Sequence, residues 1–172
     1  MTTSLKIDFV SDIACPWCAV GLGALEQALE TLQTEVSAEI HFQPFELNPN
    51  LAPGGQDLFE HLNQKYGSSA EQQAQMYQNI KARGAEVGFA FHPTGRGRIF
   101  NTFDAHRLLY WAEVAADAGA QLRMKKAFLE AYQGRGETIE SHDVLLNIVQ
   151  TLGMDVEAAR AILLSDTYAQ EV

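Results

Sequence analysis

The tetrapeptide Cys15-Pro16-Trp17-Cys18 holds both cysteines of the chain, at i and i+3. A run with strand character, Leu5-Lys6-Ile7-Asp8-Phe9-Val10, precedes it, and a helical run from Ala19 to Leu32 follows. No other feature constrains the fold as much. The chain has to turn from strand to helix within a few residues, with both sulfurs on the first helical turn. Pro16 suits the first helical position, where its φ is already set and its missing N–H costs nothing. Two thiols at this spacing can close a small disulfide ring and open it again. Unpaired N–H groups and the partial positive charge at a helix start favour a thiolate over a thiol. A C-x-x-C at a strand-to-helix junction therefore points to thiol–disulfide exchange.

Roles follow from the geometry of such a turn. Cys15, at the helix start with its sulfur exposed, is the candidate attacking thiolate. Cys18, one turn in and expected to be more buried, is the candidate that resolves a mixed disulfide. Pro16 stiffens the turn. Trp17 carries no charge and cannot steady a thiolate as a histidinium would, so it is read as an apolar platform. Pro16 and Trp17 are accordingly the candidate substrate-binding residues. The Cys15 pKa is expected below the free value of about 8.5, short of the bottom of the range for such motifs. Asp8, Asp12 and Glu26 are acidic neighbours, and Lys6 is the one basic residue before Lys65. The lowering must then come from the helix end, unless a distant cation folds back onto the motif.

Three blander readings of the pair compete with exchange. Zinc needs about four ligands. There is no third cysteine, and His41, His61, His92, His106 and His142 are scattered without ligand spacing, so no metal is expected. An inert buried pair is disfavoured by proline and tryptophan between the cysteines. A fold that has kept its shape and lost its activity is the third alternative.

The remainder reads as a β-α-β start followed by a long helical stretch. Strand one is Leu5 to Ser11. Strand two is Ala38 to Phe42, running on toward Phe45 and Leu47, and a helix between two strands predicts a parallel pair. Residues 48–55 are loop by composition. Helices are predicted from Asp57 to Tyr66, then to about Arg83 behind a capping box of Ser68 with Glu71. Gly84 to Gly97 reads as linker. Further helices run from Asn101 or Thr102 to Asp117, from Ala120 to Gln133, from Ser141 to Gly153 and from Val156 to Leu164. Ser165-Asp166 opens one more.

The net charge of −10 repels phosphate backbones and anionic lipid heads, so neither nucleic acid nor a membrane is expected as partner. No apolar run approaches the ~20 residues needed to span a bilayer. The first residues lack a secretory pattern. The cytoplasm is the expected location, where two thiols serve catalysis more often than stapling.

Three stretches resemble the DsbA-like thioredoxin superfamily, and within it the cytoplasmic FrnE-like oxidoreductases. They are Asp8-Phe9-Val10-Ser11-Asp12 leading into Cys15-Pro16-Trp17-Cys18, then Pro44-Phe45-Glu46-Leu47-Asn48-Pro49, then Asn101-Thr102-Phe103-Asp104-Ala105-His106-Arg107. The resemblance implies an α/β, thioredoxin-like fold with a large inserted helical domain. It implies disulfide oxidoreductase or isomerase activity and maps the redox pair onto Cys15 and Cys18. Residues 1–50 would be the N-terminal β-α-β part, 51–165 the helical insertion, and 166–172 the start of a helix returning to the thioredoxin-like domain. No separate cofactor is expected beyond the redox-active disulfide, with glutathione or another thiol as co-substrate. The partner would be a disulfide- or thiol-containing protein or small molecule.

One departure stands out. Thioredoxin folds carry a cis-proline loop facing the motif, then a β-hairpin and a final helix, but the last of the five prolines here is Pro93. The C-terminal hairpin and helix are expected to be missing from this chain. A two-stranded sheet is marginal alone, so a homodimer or other partner edge is expected. The resemblance also admits a glutathione-dependent isomerase of the 2-hydroxychromene-2-carboxylate isomerase type. There a serine typically replaces the first cysteine and activates bound glutathione, and the two cysteines here weigh against it. A non-enzymatic module binding a partner along its helices is the third hypothesis.

Other residues carry weaker signals. His92 to Arg98 could cradle an anion with two guanidinium groups, but a solvated loop is the preferred reading. His106 and Arg107 are expected to be polar residues satisfied between subdomains. Asn101 is read as a helix cap, and His41 is not read as a base. Met76, Tyr77 and Ile80 form an apolar helix face.

Overall fold

The computed structural model describes residues 2–172. Strand β1 (Thr3–Ser11) leads through residues 12–14 into helix α1 (Pro16–Thr31), and β2 (Val36–Pro44) returns parallel to β1. Ile7 lies opposite Ile40 and Phe9 opposite Phe42, with the two phenyl centroids 5.6 Å apart. Along β1, Ile7, Phe9 and Ser11 turn inward while Asp8 and Val10 face out, as the period of two requires. Strand β2 stops short of Phe45 and Leu47. Pro44 has no N–H to extend the ladder, and the Leu47 N–H is taken instead by the Asp12 carboxylate at 2.7 Å.

The rest is helical: α2 (Leu58–Tyr66), α3 (Ala70–Glu86), α4 (Phe103–Ala115), α5 (Ala120–Leu129), α6 (His142–Thr151) and α7 (Val156–Leu163). Asp57 caps α2 and Asp155 caps α7 through their carboxylates. The α3 capping box falls one residue later than predicted. Ser69 Oγ accepts from the Gln72 N–H and Gln72 Oε1 accepts from the Ser69 N–H, while Ser68 donates to the Leu62 carbonyl. Helix α3 runs through Gly84, which is no breaker here. A Cβ at Gly84 would come within 2.6 Å of the Phe91 ring, so this glycine admits close packing.

Two further differences are local. Gln56–Asp57 (β3) and Arg98–Ile99 (β4) form a short antiparallel pair, too brief to leave an alternating pattern. Residues 166–172, expected to begin a helix, form successive turns. A π-helical turn, Glu130–Gly134, ends α5.

The apolar core lies among α4, α5, α6 and α7, with Leu108, Met124, Phe128, Leu145 and Val149 fully buried. Arg107 crosses it as a satisfied polar strut. Its guanidinium donates to the carbonyls of Ile162 and Thr167 and to Asp104, as its expected place between elements requires. Ile80 is buried, Tyr77 half-buried and Met76 more exposed, so the apolar face of α3 is partly core. Among the described residues no helix is long and apolar enough to cross a membrane.

Helices α4 and α5 pack against β2. The buried Gln121 of α5 imitates a strand there, donating to the Phe42 carbonyl at 3.0 Å and accepting from the Phe42 N–H at 2.8 Å. Gln121→Leu strands both groups in an apolar setting. Each unpaired buried group costs about 1–3 kcal/mol, so the variant should lose about 2–4 kcal/mol, read as a lower urea midpoint with an unchanged slope.

Candidate active site

Cys15 is the N-cap of α1, extended at φ −90° and ψ 114°, and Pro16 is the first helical residue. The Cys15 carbonyl accepts from the Cys18 N–H at 3.2 Å, and the Cys15 N–H donates to the Asp12 carbonyl at 3.2 Å. Both sulfurs are therefore carried on one turn, and both thiols are free and half-buried. The sequence predicts a deeper Cys18, but the two sulfurs share one turn and both residues are half-buried. Trp17, between them, is 48% exposed.

The two sulfurs differ in chemistry rather than depth. The Cys18 S–H donates to the Cys15 sulfur and is the largest influence on it. Partial burial opposes the thiolate, the backbone N–H groups of Cys18 and Trp17 favour it, and the Asp12 charge opposes it; the balance brings Cys15 to a pKa of about 6. That same hydrogen bond, then burial, then the Cys15 charge push the Cys18 thiol far up. One nucleophile and one held proton result from a single contact. The helix end contributes as expected, but the second cysteine contributes more.

Asp12, between β1 and α1, is 2% exposed. Its Oδ1 accepts from the Ala14 N–H at 3.0 Å, Thr102 Oγ1 at 2.8 Å and His106 Nε2 at 3.3 Å, and its Oδ2 accepts from the Leu47 N–H. Burial alone would raise this carboxyl. The His106 bond and the Ala14 and Leu47 N–H groups overcome that and hold it below the usual carboxylate range. His106 is driven down by burial and stays neutral, though the Asp12 bond works against that. Thr102 spends its hydroxyl on Asp12, so Asn101 caps α4, accepting from the Phe103 N–H at 2.8 Å.

More side chains hold the motif loop from behind. Gln133, in the π-helical turn, donates to the Ile13 carbonyl at 2.8 Å. Arg96 donates to the Ala14 carbonyl at 2.6 Å, and its guanidinium lies 4.6 Å from the Tyr132 ring centroid. Arg98 donates to the carbonyls of Gly54 and Gly55. The His92–Arg98 segment thus braces the motif through Arg96 instead of opening a cradle for anions. His41 contacts Glu113 on α4. Among the described residues, no three His, Cys, Asp or Glu side chains gather as a metal would require.

Lys125 of α5 is also drawn in. It is 1% exposed, its Nζ has no hydrogen-bond partner among the described residues, and it lies over the Phe42 ring at 5.5 Å. Its charge acts on Cys18. It is a cation distant in sequence, but it bears on Cys18, and the Cys15 lowering comes from Cys18 and the helix end. The signal for it was present, because Gln121, Lys125, Phe128 and Tyr132 share one helical stripe in which a lysine is out of place. From the sequence, Asp12 reads only as an acidic neighbour of the motif and His106 as a polar residue satisfied between subdomains; their pairing with each other is not visible there.

The sequence matches the model of the DSBA-like thioredoxin domain family over residues 6–172. A probable DsbA oxidoreductase from Streptomyces coelicolor is similar at 33% identity and a TM-score of 0.87, over 97% of this chain and 71% of that one. A 2-hydroxychromene-2-carboxylate isomerase aligns at 13% identity and a TM-score of 0.68, over 96% of this chain and 74% of its own. The cytosolic disulfide reductase DsbM of Pseudomonas aeruginosa with GSH aligns at 18% and 0.58, over 91% and 71%. The last two likenesses concern the fold alone. No curated protein matches the chain.

Asp12→Asn tests what fixes the motif loop. An amide keeps one oxygen and turns its NH2 against either the Leu47 N–H or the Ala14, Thr102 and His106 donors, so a loss of about 2–4 kcal/mol at pH 7 is expected. The folded Asp12 pKa is depressed. Its stabilisation is therefore complete above the unfolded value of about 4 and lost as pH falls through the folded one. Urea titrations below pH 4 should show a flatter decline for the variant than for the parent.

Proposed function

The chain belongs to the DSBA-like thioredoxin domain family, and from that premise we propose that it is a dithiol–disulfide oxidoreductase working through Cys15 and Cys18. The observation that carries this reading is the split between the sulfurs, with Cys15 lowered to about 6 at a helix N-cap and Cys18 held protonated beside it. At neutral pH that leaves Cys15 as thiolate, the form that attacks disulfides.

In the reductive direction the Cys15 thiolate attacks one sulfur of a substrate disulfide. A Cys15–substrate bond forms and the other substrate sulfur leaves as thiolate. Cys18 then attacks the Cys15 sulfur, losing its proton to the departing thiolate side. The Cys15–Cys18 bond forms, the mixed disulfide breaks, and two electrons have passed to the substrate. The oxidative direction is the reverse. The pair is its own redox carrier, and glutathione or another thiol would regenerate it. The substrate would be a disulfide- or thiol-containing protein or small molecule. The exposed Trp17 ring offers it apolar contact beside the reactive sulfur, and Pro16 keeps the turn stiff. A glutathione-dependent isomerase needs no second thiol, so the coupled pair favours exchange.

Iodoacetamide should alkylate reduced protein at a rate that is half-maximal near pH 6, the signature of Cys15. Cys15→Ser should abolish catalysed insulin reduction by dithiothreitol. Cys18→Ser should accumulate a mixed disulfide with glutathione, seen by intact mass. A Cys18→Ser protein that turns over like the parent, or a Cys15 inert at pH 7, would show the proposal to be wrong.

A further inference from the structure

A buried ammonium without a hydrogen-bond partner is costly unless a negative charge compensates it. Lys125 is such a group, at 1% exposure with Nζ unpartnered among the described residues. It is carried on α5, which packs against β2, and its Nζ lies 5.5 Å from the centroid of the buried Phe42 ring, opposite Phe9 of the strand that leads into the motif. The ionisable groups around it come from several elements. Cys15 and Cys18 are on α1, Asp12 closes β1, and His106 is on α4. Glu46, beyond β2, faces Asp12 in turn. His106 is neutral, and the Asp12 oxygens are already engaged by Ala14, Thr102, His106 and Leu47. Asp12 therefore meets Lys125 as a charge and not as a hydrogen-bond partner. The remaining negative charge is that of the sulfurs, the Cys15 thiolate at rest and Cys18 once it gives up its proton to attack, and Cys18 stands first among the charges that act on Lys125.

We propose that Lys125 is a positioning residue of the exchange reaction, an ammonium supplied by the helical part of the chain that steadies negative charge on Cys18 as it attacks the mixed disulfide. This rests on the dithiol reading above. Lys125 keeps its proton through the step. The Cys18 proton goes to the leaving substrate sulfur, the Cys15–Cys18 bond forms and the Cys15–substrate bond breaks. With both sulfurs bonded their charge is gone, and Lys125 faces burial with Asp12 alone. Burial brings the Lys125 pKa down to about 8 even against the pull of Cys18, Asp12 and Cys15. Oxidation should lower it further. The charge of α5 and the bonding state of α1 are thereby linked.

The unaltered protein provides the main test. With 13C-labelled lysine, the Lys125 side chain should titrate about tenfold more tightly, a midpoint about one unit higher, in the reduced than in the oxidised protein. Equal midpoints would overturn the inference. Lys125→Met, checked for folding by circular dichroism, should resolve the glutathione mixed disulfide roughly tenfold more slowly and shift the equilibrium with glutathione roughly tenfold toward the protein disulfide, because it loses stabilisation of the thiolate form. Lys125→Arg, which keeps the charge, should recover much of both. A folded Lys125→Met protein with parental resolution and equilibrium would also overturn it, and the titration decides if that variant does not fold. Exchange intact with Lys125 indifferent to redox state sinks this inference alone. Absence of exchange sinks the dithiol reading and this one with it.

Discussion

The Asp12 carboxylate is the junction on which the rest of the structure depends. It closes β1, fixes the turn into α1 through Ala14, holds the chain beyond β2 through Leu47, and receives α4 through Thr102 and His106. Four contacts at one buried anion bring together segments that are up to 94 residues apart in sequence. An acceptor-only group suits this task, because every neighbour offers a donor. The motif is held as a rigid loop, since Gln133 and Arg96 take the carbonyls of Ile13 and Ala14 that Asp12 cannot serve. The reactive turn is thus suspended from the helical region by side chains, while its own backbone follows the ordinary start of a helix.

Electrostatics at the site are divided between two scales. Over a few ångströms, the hydrogen bond between the thiols separates them into an acidic and a strongly basic partner. Across the packed interface, buried charges of both signs act on the pair, with Asp12 opposing the Cys15 thiolate and Lys125 favouring charge on Cys18. Low surrounding polarity strengthens both effects. Charges that far apart in sequence can be balanced only by a fold that docks α5 against the sheet.

What could be seen in the sequence followed this division of scale. Cys15, Pro16 and Cys18 define a helix start through residues that are adjacent, and Pro16 at the first helical position needed no tertiary information. The parallel β-α-β unit was equally local, and three family-like stretches carried the remaining fold. The capping box slipped from Ser68 to Ser69 because both serines stand three residues before a Glu or Gln, and the choice depends on which hydroxyl Leu62 claims. Gly84 looked like a breaker because its reason for being glycine, Phe91, lies beyond the helix. The supporting residues Thr102, Gln133 and Arg96 were invisible as such, since each acts on a backbone or carboxylate brought near only by folding. Lys125 left a trace as a charged residue on an apolar stripe, but a stripe says that a residue is inside, and not what it faces.

The glutamine that occupies Phe42 has a directional consequence. Phe42 and Pro44 point their backbone groups to the same side of β2, away from β1. Gln121 consumes the polar groups of one, and the other, a proline, has no donor to offer. The outer border of β2 is therefore chemically finished at its C-terminal end, which blunts it against edge-to-edge association. Growth of this sheet is polarised: an incoming strand, from whatever source, finds the outer ladder of β1 unpaired among the described residues and a sealed margin beside Phe42.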